Sequence, residues 1–262
     1  MLQHPHPLVS DPGAHSGADI SSASLGSKGT LWLLPVALGE TAWQQCLPPA
    51  TQLAACQLMH FVAENAKTAR AELKRMAHPM PMRDLQITQL PEKPTPAEID
   101  ALLSPLLAGF SVGLMSEAGC PAIADPGALL VRRAHELGLC VKPLVGPSSI
   151  LLSLMASGLD GQRFAFHGYL PAHEPERSQR ILMLEKESLH LRQTQIFIET
   201  PYRNLALFSA LLNQARSSTL LCLATDITLP QESIMTRTIV EWKKQPVPSI
   251  DKKPTVFLFL AI

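Results

Sequence analysis

Ser111-Val112-Gly113-Leu114-Met115, followed by Ser116-Glu117-Ala118-Gly119-Cys120-Pro121-Ala122-Ile123-Ala124-Asp125-Pro126-Gly127, sets the architecture of this chain. The first part is a short apolar run of strand length, without the alternation of a half-exposed strand, as expected when both faces are covered. The second part is small and rigid and packs poorly. After it, Leu129 to Leu137 places apolar residues at helical spacing, and Gly138 closes that helix. Gly119 and Gly127 permit close backbone approach, while Pro121 and Pro126 fix the local path. A loop between strand and helix lies at the strand's carboxyl end, where open parallel sheets take their ligands. An ordinary long turn ending in Asp-Pro-Gly has the same composition.

The same alternation extends outward in both directions. Upstream, Leu31 to Leu38 is a continuous apolar run and reads as a buried strand. Gln57 to Ala63 reads as a second strand, leading into a helix over Asn65 to Met76 with Asn65 as its cap. Thr95-Pro96-Ala97-Glu98 is a capping box with Pro at the first helical position, and Ile99, Leu102, Leu103 and Leu106 follow on one face until Gly109. Downstream, Cys140 to Val145 is a strand interrupted by Pro143. Strands at Phe164 to Tyr169, Gln195 to Glu199 and Leu220 to Ala224 alternate with helices at Pro175 to Leu191 and Asn204 to Gln214. Ile234 to Trp242 and Thr255 to Ile262 then read as two successive strands. Repeated strand-helix units predict right-handed crossovers in a parallel sheet. The expectation is an α/β protein of two domains, 29–145 with a mainly parallel sheet and 146–262 with a mixed one. Residues 1–28 carry no periodicity and read as a flexible extension; its His4, His6 and His15 offer no fixed ligand geometry, so no metal is expected there.

Composition narrows the function classes. Of 262 residues, 46% are hydrophobic and 17% charged, which excludes a mainly disordered chain. No apolar run approaches the roughly 18 residues of a membrane span, and no secretory signal opens the sequence. Lys and Arg number 22, as do Asp and Glu, so a polyanion would have to be met by a local patch. The odd count of five cysteines, with no Cys-x-x-Cys pair, argues against a disulfide framework or zinc knuckle and for a reducing cytoplasm. Dinucleotide, phosphate-loop, nucleophile-elbow and zinc-protease motifs are all missing. His60, beside Phe61, reads as a core or edge histidine rather than a base.

Three further places carry candidate chemistry. Val145-Gly146-Pro147-Ser148-Ser149 opens a helix whose first amides would face a polar ligand, although a serine cap explains the same residues. Glu64, Lys67 and Arg70 follow a predicted strand and would face the cleft near Gly119. With Lys74 and Arg75, the two cations read equally as one solvated helix face. Glu199-Thr200-Pro201-Tyr202-Arg203 brings a carboxylate, a hydroxyl and a guanidinium to a strand end, or marks a helix start.

The loop Ser116–Gly127, then Gly146-Pro147-Ser148, Gly168-Tyr169-Leu170-Pro171 and Glu199 to Arg203, occur in the order seen in one family. The chain resembles the tetrapyrrole methylase-like class of S-adenosylmethionine methyltransferases, and within it the ribosomal RNA small subunit methyltransferase I branch, which methylates a cytidine ribose 2′-oxygen. The likeness runs from about Thr30 to Ile262. It implies a two-domain cytoplasmic homodimer holding S-adenosylmethionine in a cleft between the domains, with small-subunit ribosomal RNA as partner and neither metal nor membrane involved. It also implies that Gly119, Cys120 and Pro121, with Ser116, Ala118, Ile123, Ala124 and Asp125, border the methionine part of the cofactor. Gly39 and Gly146, with Ser148 and Ser149, belong to the adjoining loops, and Glu199 and Ala224 would lie near the adenosine. Glu64 is the candidate proton acceptor and Arg70 the candidate phosphate contact.

Three segments depart from that branch. Its Thr-Pro-Ile-Gly-Asn is here Val36-Ala37-Leu38-Gly39-Glu40, its Glu-Asp-Thr-Arg is Glu64-Asn65-Ala66-Lys67, and its Glu-Leu-Thr-Lys is Asp226-Ile227-Thr228-Leu229. The first two fall on the acceptor side, and the third loses a lysine that could meet RNA. Two other readings therefore stand beside RNA methylation: the same cofactor with a small acceptor such as a tetrapyrrole, and a regulatory protein that binds the cofactor without turnover.

Overall fold

The structure, a computed structural model, describes residues 27–262. Apart from its last two residues, the expected extension, with His4, His6 and His15, lies outside the described residues. Five strands form the first sheet: β1 (Thr30–Leu33), β2 (His60–Ala63), β3 (Gln86–Gln89), β4 (Val112–Met115) and β5 (Cys140–Pro143). Their order is β3-β2-β4-β1-β5 and every neighbouring pair is parallel. Helices α1 (Pro49–Cys56), α2 (Ala66–Arg75), α3 (Pro96–Leu107) and α4 (Gly127–Glu136) supply the crossovers. On one face, Leu31, Val62 and Leu114 pack with Leu103 and Leu106 of α3 and Leu130 of α4. On the other, Phe61, Ala63 and Met115 pack with Ala55 of α1 and Ala69 and Leu73 of α2. Burial on both faces is why the β1 and β4 segments read as unbroken apolar runs.

α5 (Ser149–Ser157) leads to the second sheet, β6 (Phe164–Tyr169), β7 (Thr194–Ile198), β8 (Leu220–Thr225), β9 (Ser233–Thr238) and β10 (Thr255–Leu260), in the order β6-β7-β10-β8-β9. Only β6 and β7 are parallel. The two-residue period of β10 sorts its side chains between two cores. Phe257 and Phe259 join α6 (Glu176–Leu191) and α7 (Asn204–Gln214) through Leu184 and Leu211, whereas Val256 and Leu258 face Leu154 of α5.

Several boundaries differ from the sequence reading. The Leu31–Leu38 run is strand only to Leu33; Leu34 N still donates to Leu114 O at 2.9 Å, but Pro35 has no N–H and the ladder ends there. Of Gln57–Ala63, only His60 onward is strand. α1 and β3 were not anticipated. β9 stops at Thr238, whose hydroxyl and Glu241 form a capping box for the short helix α8 (Ile239–Trp242), so Ile234–Trp242 is not one strand.

Candidate functional site

The carboxyl ends of β1, β4 and β5 bring three loops together. Val36 and Gly119 pair as an isolated antiparallel bridge, with Val36 N to Gly119 O at 2.9 Å and Gly119 N to Val36 O at 3.2 Å. Gly119 has φ +73°, and a Cβ there would stand 3.2 Å from Leu38 Cδ2 and 3.5 Å from Pro147 O, so a side chain would meet both strain and crowding. The Cys120 thiol donates to Pro147 O at 3.4 Å, tying the β4 loop to the β5 loop; burial pushes its pKa up. Asp125 Oδ1 accepts from Ala122 N at 2.9 Å and Gly127 N at 2.7 Å. Ala122 and Ala124 have φ of 66° and 63°, left-handed values that cost alanine on the order of 1 kcal/mol each.

These loops form one wall of a cleft, and strand ends of the second sheet form the other. The cleft has two halves, of about 750 and 800 Å³ including the open mouth, joined where Ala118, Ser149, Tyr169 and Ile198 line both. Glu64, Ser116, Ala118, Gly119, Cys120, Ile123, Ala124 and Asp125 line the first half, together with Ser148 and Ser149. Glu199 and Ala224 line the second.

Four predicted site residues lie elsewhere. Arg70 is exposed and its Nη1 donates to Ala66 O at 3.1 Å along its own helix. Pro121 is buried behind the loop. Gly146 is pressed against Pro35, whose Cβ lies 2.3 Å from where a Cβ on the glycine would be. Gly39 packs on Leu229 of the second lobe, with Leu229 Cδ2 only 2.7 Å from such a Cβ. These two glycines shape the walls without lining the cavity. The sequence reading missed Leu38, Phe166, Tyr169, Ile198, Asp226 and Ile227 as lining residues. Tyr169 sat in a quoted motif and Asp226 in a noted departure, so a polar residue at a strand end was the available signal; the apolar ones read as core.

The cleft is acidic. Glu64, Glu117 and Asp125 line one half, Glu199 and Asp226 the other, and no Lys, Arg or His side chain among the described residues lines either. Burial, then the charge of Asp125 and a hydrogen bond with it, push the Glu64 carboxyl up to about 7. Glu64 Oε1 is shut off from solvent without a hydrogen-bond partner. Burial also raises Asp125, against the pull of the Gly127 and Ala122 amides. Across the cleft, Glu199 Oε1 accepts from Thr200 N at 2.7 Å and from Arg203 Nε and Nη2 at 3.0 and 2.7 Å, while its buried Oε2 has no partner. Asp226 Oδ2 lies 3.5 Å from Lys253 Nζ.

This lining fits S-adenosylmethionine. Its sulfonium and ammonium are cationic, and five acidic residues with no base favour them. The orphaned Glu199 Oε2 seeks a donor of the kind a ribose diol supplies. Leu38, Ile198, Ala224 and Val256 offer apolar surface to a flat ring. The first turn of α5, capped by Ser148, presents the positive end of a helix to a carboxylate. Among the described residues no group of three His, Cys, Asp or Glu is arranged to hold a metal, and no helix is long and apolar enough to cross a membrane. All five cysteines are free.

No family model matches the chain. Curated relatives do: ribosomal RNA small subunit methyltransferase I of Vibrio cholerae is 36% identical over 140 residues, covering 53% of this chain and 47% of that protein. Its counterpart from Xylella fastidiosa is 32% identical over 161 residues, covering 62% and 58%. The chain thus spans about half the length of the curated relatives it matches. Among solved structures, the methyltransferase CobJ aligns with a TM-score of 0.59 at 16% identity over 90% of this chain and 95% of the other. A cobalt precorrin-4 methyltransferase aligns at 0.56 and 12% over 88% and 94%. The uroporphyrin-III-C-methyltransferase of Thermus thermophilus aligns at 0.51 and 15% over 89% and 94%. The parallel sheet, the mixed sheet and the cleft between them are the tetrapyrrole methylase fold, and over part of its length the chain is a homologue of the ribosomal RNA small subunit methyltransferase I proteins.

Proposed function

We propose that this protein is an S-adenosylmethionine-dependent methyltransferase acting on a ribose 2′-oxygen of RNA, with small-subunit ribosomal RNA as its substrate. The observation that carries the reading is the cleft's charge: five acidic residues and no basic one around a space of small-molecule size, suited to a cationic donor and hostile to phosphate. The partial similarity to ribosomal RNA methyltransferases supports the RNA acceptor. Phosphates would be met outside the cleft, where Lys67 and Arg70 lie exposed on α2, the helix that follows Glu64. A cytoplasmic location and a homodimer belong to the same proposal.

When bound, the cofactor supplies a methyl group on a positively charged sulfur, so the protein need provide no nucleophile or metal. Its own residues bind and align. Glu199 and Asp226 would accept hydrogen bonds in the second half of the cleft, the α5 terminus would receive a carboxylate, and the β4 loop would form the floor. Glu64 stands ready to take the proton of an incoming hydroxyl.

Calorimetry with S-adenosylmethionine, followed by methyl-label transfer to ribosomal RNA from a strain lacking the protein, tests the reading. Binding and label in a 2′-O-methylated nucleoside are expected; absence of binding overturns it. RNA affinity should fall steeply with salt, whereas a small uncharged acceptor would show no such slope.

A further inference from the structure

We infer that Glu64 and Asp125 work as a single carboxyl pair sharing one proton, in which Asp125 is a positioning residue that sets when Glu64 is free to accept a proton in the cleft. The inference rests on the proposed methyl transfer for its chemical use, but the pair itself is a property of the protein alone. Both carboxyls line the first half of the cleft and lie within hydrogen-bonding reach of each other. They are not equivalent. Asp125 is held by two amides, those of Ala122 and Gly127, on a loop whose left-handed Ala122 and Ala124 keep it there; Glu64 has a single backbone donor, from Glu117, and leaves Oε1 unpartnered. Backbone donors favour the charged form, so the negative charge rests on Asp125 and the proton on Glu64.

The groups facing Glu64 are few. Glu117, Cys120 and Asp125 come from the β4 loop and Tyr169 from the second lobe. Lys67 and Arg70, on the helix following Glu64, point to solvent. No cation lines the cavity to hold Glu64 ionised, and burial together with Asp125 keeps its proton on until about pH 7. Once ionised, Glu64 takes the proton of the acceptor hydroxyl as the new oxygen–carbon bond forms. The carbon–sulfur bond breaks with its electron pair left on sulfur, so the positive charge of the donor is discharged and the proton stays on Glu64.

Two readouts test the pair. In the unliganded protein, the infrared band of a protonated carboxyl that Glu64→Gln removes should persist to about pH 7 in the parent. It should vanish at lower pH in Asp125→Asn, which keeps an oxygen for Ala122 N and Gly127 N but removes the charge. In single-turnover methyl transfer, the acid limb of the rate should follow the same midpoints. Glu64→Gln should lose about 100-fold in rate. Asp125→Ala, lacking the amide acceptor as well as the charge, should weaken cofactor binding more than Asp125→Asn does, as a merely structural role also predicts. Equal midpoints in the parent and Asp125→Asn, or a Glu64 that ionises in the ordinary carboxylate range, overturn the inference. If cofactor binding fails while the infrared shift appears, the proposed function falls and the pair stands.

Discussion

On the first-lobe wall Glu64, Glu117 and Asp125 stand together without a cation, whereas on the facing wall Glu199 is clamped by Arg203 and Asp226 faces Lys253. Both walls bury carboxyl groups, so burial alone does not decide what they do. Where a guanidinium is supplied, Arg203 occupies Glu199 Oε1 and leaves Oε2 for a ligand's donor. Where none is supplied, burial and the neighbouring Asp125 hold the proton on Glu64 into the neutral range.

Removing Arg203 should break this contrast most severely. Arg203→Ala leaves Glu199, fully buried, without its guanidinium, and stability should fall by about 2 kcal/mol once the partial exposure of Arg203 is discounted. Denaturant unfolding reads the change, and Glu199→Gln with Arg203→Ala should recover much of it. The first wall gives a smaller effect of opposite character. The Glu64 carboxyl is raised from 4.5 to about 7, so its contribution to stability is complete below 4.5 and is lost as pH climbs through about 7. Glu64→Gln should flatten that segment of the stability curve and leave the variant about 1 kcal/mol more stable than the parent at pH 8, after allowance for solvent screening.

Two further changes sharpen the comparison. Ile123 is 53% exposed and lines the same half of the cleft, so Ile123→Lys supplies the cation that the first wall lacks. The Glu64 titration should move down, as read by the infrared band, while Glu199→Gln should leave it where it was. Smallest of all, Lys67→Ala with Arg70→Ala should reduce RNA affinity several-fold at low salt and flatten its logarithmic salt dependence by roughly 1.4 to 1.8 units. Calorimetry of the cofactor should be unchanged, since neither residue lines the cleft.

Much of this was legible where a single residue satisfies a local rule. Asn65 caps α2 through Lys67 N and Thr68 N, and Thr95 and Glu98 close the predicted capping box on α3. The small-residue loop after β4 does line the cleft. What escaped depends on distant partners. β3 reads Gln-Ile-Thr-Gln and is mostly exposed at the sheet edge, so it lacks the apolar signature of its neighbours. Ile198, Ile227 and Val256 line the cavity, yet nothing in a linear sequence separates an apolar wall from an apolar core. Arg70 carried the right charge, but its place on the outer side of α2 is set by packing of Ala69 and Leu73.

The tight seat of Gly146 on Pro35 bears on how the molecule can move. That contact and the Cys120 link to Pro147 fasten the entry of the connecting segment to the first lobe, while Leu154, and the Ser157 carbonyl that accepts from Thr236, fasten α5 to the second. Between these two fastenings the backbone passes through Pro147 and Ser148, and Ser148 itself lines the cleft. A swing of one lobe against the other would therefore bend the chain at Pro147 and Ser148, beside the cavity itself.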